Sequence, residues 1–240
     1  MKQKIVKLNK IKLRNKDFYK SYYLNKKKKF PLVDAKIAIS KDYFTIGKKS
    51  KWITNTRSRK VAHLIRSRYD CILATSKSIN VDNSLLNCRI EGLNKDKPDL
   101  IIIDRFLKLK KNLKIYNSVG KRKIYILTCV LDKKKISFFK KRKIKIIKIG
   151  KLENKKDFRE LLIKIFQMGI GRILIETGLI FIEKLLKFKL INEFYVFKSN
   201  HYLKGSGTNN SITNPIKGLN LSKSVKVNLD KDRLYRIKLK

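Results

Sequence analysis

Acidic residues are scarce in this 240-residue chain, where 18 Asp and Glu stand against 62 Lys and Arg and the formal net charge is +44. Three cysteines, Cys71, Cys88 and Cys129, are odd in number and far apart, which fits neither a disulfide framework nor a zinc site. They read as buried or incidental thiols. The two histidines, His63 and His201, have no cysteine or carboxylate at ligand spacing, so no metal is expected. No stretch approaches the roughly 18 uninterrupted apolar residues of a membrane span. Residues 1–29 are charged throughout and hold no apolar signal core. A soluble cytoplasmic protein without a membrane partner is the expectation. Glycine (10) and proline (3) are also rare, while Lys, Ile and Asn abound, the biases that an A+T-rich coding sequence imposes.

Enough apolar material is present to fold: hydrophobic residues make up 42% and aromatics 10%, which excludes wholesale disorder. The positive charge raises nucleic acid first, because cations gain affinity by releasing counterions from phosphates. Yet the cations are mostly Lys and lie in nearly every segment. The basic runs contain no helix-turn-helix, finger or aromatic stacking platform. No specific nucleic-acid partner is expected, and a basic chain also suits a doubly anionic small substrate.

Residues 1–30 form a basic arm in which Phe18, Tyr19, Tyr22, Tyr23 and Leu24 interrupt the lysines. It reads as a linker or docking arm ahead of a domain over 31–240. From Val33 to Ser40 apolar and polar residues alternate as in a strand with one buried face. Thr54 is placed to cap a helix running to Tyr69. The runs Cys71–Ala74, Leu100–Ile103, Ile124–Val130, Ile144–Ile149, Ile173–Ile175 and Glu193–Phe197 are strand-like, with helices over Phe158–Met168 and from Gly178 to about Leu186. Strands alternating with helices predict an α/β layered domain with a largely parallel sheet.

Ligands of such sheets collect at the carboxyl ends of the strands. That singles out Ser40, Ser50, the segment Ser76 to Asp82, Asp104, and Glu176 with Gly178. Gly178 at a helix start can present backbone N–H groups to a phosphate, or serve simply as turn chemistry. Arg66 and Arg89 stand out in a lysine-rich chain because only Arg offers a bidentate fork to phosphate or carboxylate, although from the residues alone a surface or intramolecular salt bridge is the slightly favoured reading. Glu176 can orient a polar substrate, or cap a helix or pair with a cation. Trp52, the only Trp, can cover a ring ligand or pack in the core.

Taken together, Lys36-Ile-Ala-Ile-Ser-Lys-Asp42, Ser50-Lys-Trp-Ile-Thr54, His63-Leu-Ile-Arg66, Asp70-Cys-Ile-Leu73, Asp82-Asn83 and Arg89 resemble, in order and spacing, the reductase domain of the bifunctional riboflavin-biosynthesis deaminase/reductase. Ile103-Asp104, Glu176-Thr-Gly178, Leu190-Ile-Asn-Glu193 and Leu203-Lys-Gly205 continue the likeness over about residues 30–207, and Asn15 to Pro31 resembles the family's interdomain linker. The resemblance implies a dihydrofolate-reductase-like three-layer α/β fold and reduction of 5-amino-6-(5-phosphoribosylamino)uracil by NADPH. By the same carry-over Lys36, Ser50, Arg66, Leu86, Arg89 and Glu176 would hold the substrate, with Lys36 and Glu176 the catalytic pair. Ala38, Trp52, Ser78, Asp82, Arg105, Gly178, Leu179 and Ile180 would contact NADPH. The family's habit implies a homodimer. Departures are Tyr43 for a usual Gly, Ser84 for Pro, Thr177 for the first Gly of Glu-Gly-Gly, and Arg105 for a small polar residue. Neither zinc-deaminase motif, His-x-Glu or Pro-Cys-x-x-Cys, is present. If this chain is whole, a separate deaminase supplies the substrate. The alternatives are a degenerate reductase-fold domain that binds RNA or a protein partner, and a dihydrofolate reductase proper.

Overall fold

In a computed structural model, which describes residues 16–50, 52–93, 98–209, 211 and 213–239, the alternating segment after Phe30 forms strand β1, Leu32–Ile39. Its odd positions Val33, Ala35, Ile37 and Ile39 are buried. The even positions are covered as well, with Asp34 buried and Lys36 and Ala38 half-buried. β1 is therefore a central strand with helices over both faces, rather than the one-sided strand its alternation suggests.

The remaining strands are β2 (Ile46–Gly47), β3 (Cys71–Thr75), β4 (Asp99–Ile103), β5 (Ile124–Thr128), β6 (Lys145–Lys148), β7 (Arg172–Ile175), β8 (Glu193–Lys198), β9 (Gly207–Thr208) and β10 (Arg233–Lys238). Eight of them make one sheet in the order β10-β8-β1-β7-β3-β4-β5-β6, and β2 pairs with β9 in a separate ribbon. Only β10 runs antiparallel in the large sheet. The edge strand β6 exposes Lys145 and Lys148, a charge pattern that discourages pairing with another chain.

Helices α1 (Lys16–Lys27), α2 (Thr56–Arg66), α3 (Ser76–Asp82), α4 (Lys133–Lys140), α5 (Lys155–Gln167) and α6 (Leu179–Lys187) complete the layers. Phe158, Leu161 and Ile165 of α5 and Ile182 of α6 pack on Val33, Ala35, Ile173 and Ile175. On the opposite face Ala62 and Ile65 of α2 cover Leu174, Tyr195 and Phe197, while Ile79 of α3 and Phe139 of α4 cover Ile72, Leu100, Ile102 and Ile126. This is the three-layer, largely parallel α/β arrangement expected, and each fully buried Leu or Ile in it contributes about 1.5–3 kcal/mol.

Differences from the sequence reading are local. The cap of α2 is Asn55, not Thr54, because the Asn55 side chain accepts the Ser58 N–H at 2.9 Å, and the helix stops at Arg66 rather than Tyr69. Within the basic arm Lys16–Lys27 is helical, and the rest of it, residues 1–15, lies outside the described residues. The Asn25 side chain of α1 lies so close to Gly171 that a Cβ there would meet Nδ2 at 2.6 Å, so a larger residue would have to push that side chain aside. Tyr43 has φ 68°, the left-handed backbone that glycine favours. Its ring packs partly against the core and lies 3.8 Å below Lys198 Nζ.

Candidate active site

Register builds the centre of the site. Ala35 of β1 pairs with Ile175 of β7, so Lys36 and Glu176, the next residue on each chain, emerge side by side on one face. Lys36 Nζ lies 2.8 Å from Glu176 Oε2. From α2 above them, Arg66 donates through Nε to Glu176 Oε1 at 2.6 Å and through Nη2 to Oε2 at 2.8 Å. Burial alone would raise the carboxyl of Glu176, but the charges of Arg66 and Lys36 outweigh it and hold the group well below the usual carboxylate range.

A second layer of contacts ties α2 to the loop after α3. His63 Nδ1 lies 2.8 Å from the Asn87 carbonyl oxygen, which also accepts from Arg66 Nη1 at 3.2 Å. His63 Nε2 lies 3.1 Å from Arg89 Nη2. Burial, reinforced by the charges of Arg66 and Arg89, lowers the His63 pKa to about 4. Beneath the loop, buried Arg122 donates to the carbonyls of Leu85, Leu86 and Pro98, and burial followed by Arg66 repulsion lowers it to about 10. The clamp holds Leu86 at φ 48°.

Where α3 meets the start of α6, hydroxyls form a triangle: Thr75 Oγ1 to Thr177 Oγ1 at 2.9 Å, and Ser78 Oγ to each of them at 3.1 Å. Ser78 Oγ also accepts the Gly178 N–H at 3.1 Å. Thr177 thus adds a hydroxyl that a glycine here would lack. Gly178 is the N-cap of α6 and offers no side-chain cap to the N–H groups of the first turn.

These features line one crevice of about 960 Å³ at the carboxyl ends of the strands. Lys36, Arg66, Leu86, Arg89, Glu176, Ala38, Trp52, Ser78, Asp82, Arg105, Gly178, Leu179 and Ile180 all border it. Ser50 does not; it is exposed, and its hydroxyl exchanges hydrogen bonds with the backbone of Trp52. Arg66, read as a phosphate fork, is already committed to Glu176 and Asn87, which leaves Arg89 as the fork of that pair still open. Glu176 likewise has both oxygens engaged. Asp104 borders the crevice but is buried, its carboxylate accepting the Lys108 and Leu109 N–H groups at 2.8 Å each, and so shapes the loop after β4. Trp52 is exposed, with the Arg59 guanidinium 4.7 Å from its ring.

His63, Asn87, Arg122 and Thr75 are absent from the site residues that the sequence reading names, although His63 belongs to one of the motifs quoted there. His63 left one signal: three residues before Arg66 on a helix, it shares that residue's face. Among the described residues no group of three or more His, Cys, Asp and Glu is placed to hold a metal ion, and no helix is long and apolar enough to cross a membrane.

Residues 31–220 match the family model described as the RibD C-terminal domain. The chain is 26% identical over 158 residues to the riboflavin biosynthesis protein RibD of Actinobacillus pleuropneumoniae, covering 65% of this chain and 41% of that one. It is 30% identical over 160 residues to a 5-amino-6-(5-phosphoribosylamino)uracil reductase of Buchnera aphidicola subsp. Acyrthosiphon pisum, covering 62% and 74%. Among solved structures, RibD of Acinetobacter baumannii superposes with TM-score 0.74 at 19% identity over 92% of this chain and 61% of that one. The Saccharomyces riboflavin biosynthesis reductase Rib7 gives TM-score 0.68 at 18% identity over 92% and 97%. The chain spans less than half the length of the curated RibD relatives. With the family model matched across most of the sheet and crevice, and the same fold in these structures, the chain belongs to the RibD C-terminal domain family.

Proposed function

We propose that the chain is an NADPH-dependent reductase that converts 5-amino-6-(5-phosphoribosylamino)uracil to its ribitylamino form. The observation that carries the reading is a single crevice with cationic forks at two separated places. Arg89 stands beside His63 of α2, the helix whose Arg66 reaches Glu176 just past β7. Arg105 follows β4, two strands beyond β7. A ligand pair with a phosphate monoester near one fork and a phosphorylated dinucleotide reaching the other would occupy both.

The residues present fit that cofactor. Arg105 Nε is buried with no hydrogen-bond partner, an orphan donor that an anion would satisfy. The uncapped first turn of α6, Gly178 to Ile180, presents N–H groups suited to a pyrophosphate, with the Ser78 hydroxyl beside them. Trp52 at the rim offers a flat face for a ring. When bound, the nicotinamide would supply the hydride that reduces the imine-like carbon of the opened sugar. Lys36, held by Glu176 yet bordering the crevice, has N–H bonds left to address the sugar and pyrimidine. Arg89 would anchor the phosphate with charge-assisted hydrogen bonds. The protein's share of the work is orientation and charge.

The test is NADPH oxidation, followed at the nicotinamide absorbance, with the substrate generated in place by a separate deaminase. Substrate-dependent oxidation is expected. A protein that neither oxidises nor binds NADPH would overturn the reading in favour of a degenerate domain.

A further inference from the structure

Arg66 and Arg89 stand near one another in the crevice wall but are treated differently. Arg66 is neutralised by Glu176 in a bidentate pair. Arg89 has no carboxylate partner among the described residues, and its neighbour is His63. The tautomer of His63 follows from the contacts. A carbonyl oxygen only accepts, so Nδ1, 2.8 Å from the Asn87 oxygen, carries the proton and Nε2 is left as a bare acceptor. Arg89 Nη2, 3.1 Å from Nε2, is then the donor. A buried imidazole on a helix is well suited to hold a long guanidinium arm, because its own position is fixed by α2 and by the Asn87 backbone.

We propose that His63 is a positioning residue that aims the Arg89 guanidinium into the crevice while leaving its positive charge uncompensated for a phosphate monoester on the substrate. The inference rests on the proposed function and deepens it. An Asp or Glu at this position would also hold Arg89, but would neutralise it and compete with the phosphate. An apolar residue would leave the charge but not the aim. Fixing a long side chain before the ligand arrives is worth up to about tenfold in affinity. A neutral acceptor supplies that ordering and spends none of the charge.

The test is binding of ribose 5-phosphate, used as a probe for the phosphosugar half of the substrate, measured by calorimetry on the full chain. The variants are His63→Ala, His63→Gln, His63→Glu, Arg89→Ala and the double variant His63→Ala/Arg89→Ala, with thermal unfolding run on each to confirm a folded state. His63→Ala should weaken binding by about tenfold in the wild-type background and leave it unchanged when Arg89 is already Ala, since His63 acts through Arg89. His63→Gln, whose amide oxygen can accept from Arg89, should stay within about threefold of wild type. His63→Glu should weaken binding at least as much as His63→Ala. The proposal is overturned if His63→Ala costs the same factor with and without Arg89, or if either single Ala variant binds as wild type does. If the wild type fails to bind the probe yet shows substrate-dependent NADPH oxidation, the role of His63 falls and the reductase reading stands. If neither is seen, the role of His63 falls, and the reductase reading falls with it when NADPH does not bind.

Discussion

Arg66 and Glu176 meet through two parallel hydrogen bonds of 2.6 and 2.8 Å in the wall of the crevice, and Lys36 reaches the same carboxylate at 2.8 Å. One buried negative charge therefore holds two positive ones. The cluster keeps a net positive charge while each ion has a partner, the condition under which buried ions are tolerated.

Glu176→Gln should consequently act on stability as well as turnover. Without the carboxylate, half-buried Arg66 and Lys36 remain as neighbouring cations with no anion between them, a change that costs about 3 kcal/mol. Lys36→Met leaves the Arg66 pair intact and should cost less than half as much, while still reducing NADPH oxidation. Urea unfolding of both variants checks the difference. Equal stabilities for Glu176→Gln and wild type would mean that the carboxylate does not hold the cluster.

The frame of this site was legible because short apolar runs ending in polar residues mark parallel strands, and the residues just past β3, β4 and β7 do face the crevice. Which side chains remain open was not legible. Whether Arg66 is a fork for a ligand or an ion-pair partner depends on how α2 lies over the end of β7, two elements far apart in sequence whose meeting no local spacing encodes. Asp104 shows the same limit. It sits at a strand end, as a site residue should, but two backbone N–H groups capture its carboxylate. Arg122, before β5, looks like any other basic residue until the fold brings three carbonyls around it.

Arg89→Ala and Arg66→Ala should separate cleanly. Arg89 makes no ion pair among the described residues, so its loss should raise KM about tenfold or more, equivalent to roughly 1.5–3 kcal/mol for a charged hydrogen bond, with little change in unfolding. Arg66→Ala should instead destabilise the fold, because Glu176 keeps only Lys36. Steady-state kinetics beside urea unfolding distinguishes them. A KM unchanged in Arg89→Ala would remove that residue from the phosphate site.

Arg105→Ala tests the other end of the crevice. If the unpartnered Nε marks the place of the extra phosphate, the ratio of NADPH to NADH affinity should fall about tenfold, measured by quenching of Trp52 fluorescence. Melting temperature should move little, since Arg105 lies in a turn and its ring contact with Phe106 is at the surface. An unchanged ratio would place that phosphate elsewhere.

Two groups should act on stability in opposite directions in mild acid. Asp34, buried against Tyr69 and the neighbouring Glu193, has its pKa raised by burial from 3.8 to about 6, so between those values the folded state binds more protons and acidification stabilises it. His63 is lowered from 6.5 to about 4, so across that window the unfolded state binds more protons and acidification destabilises. The two slopes oppose each other, and between about pH 6 and pH 4 their contributions should largely cancel in the wild type. His63→Gln removes one of them. Its unfolding midpoint, followed by circular dichroism in urea at half-unit steps of pH, should rise relative to wild type as the pH falls from about 6 to 4. A constant difference between the two proteins across that range would mean that His63 titrates in the folded state as it does in the unfolded chain, and that the ring is not held neutral beside Arg89.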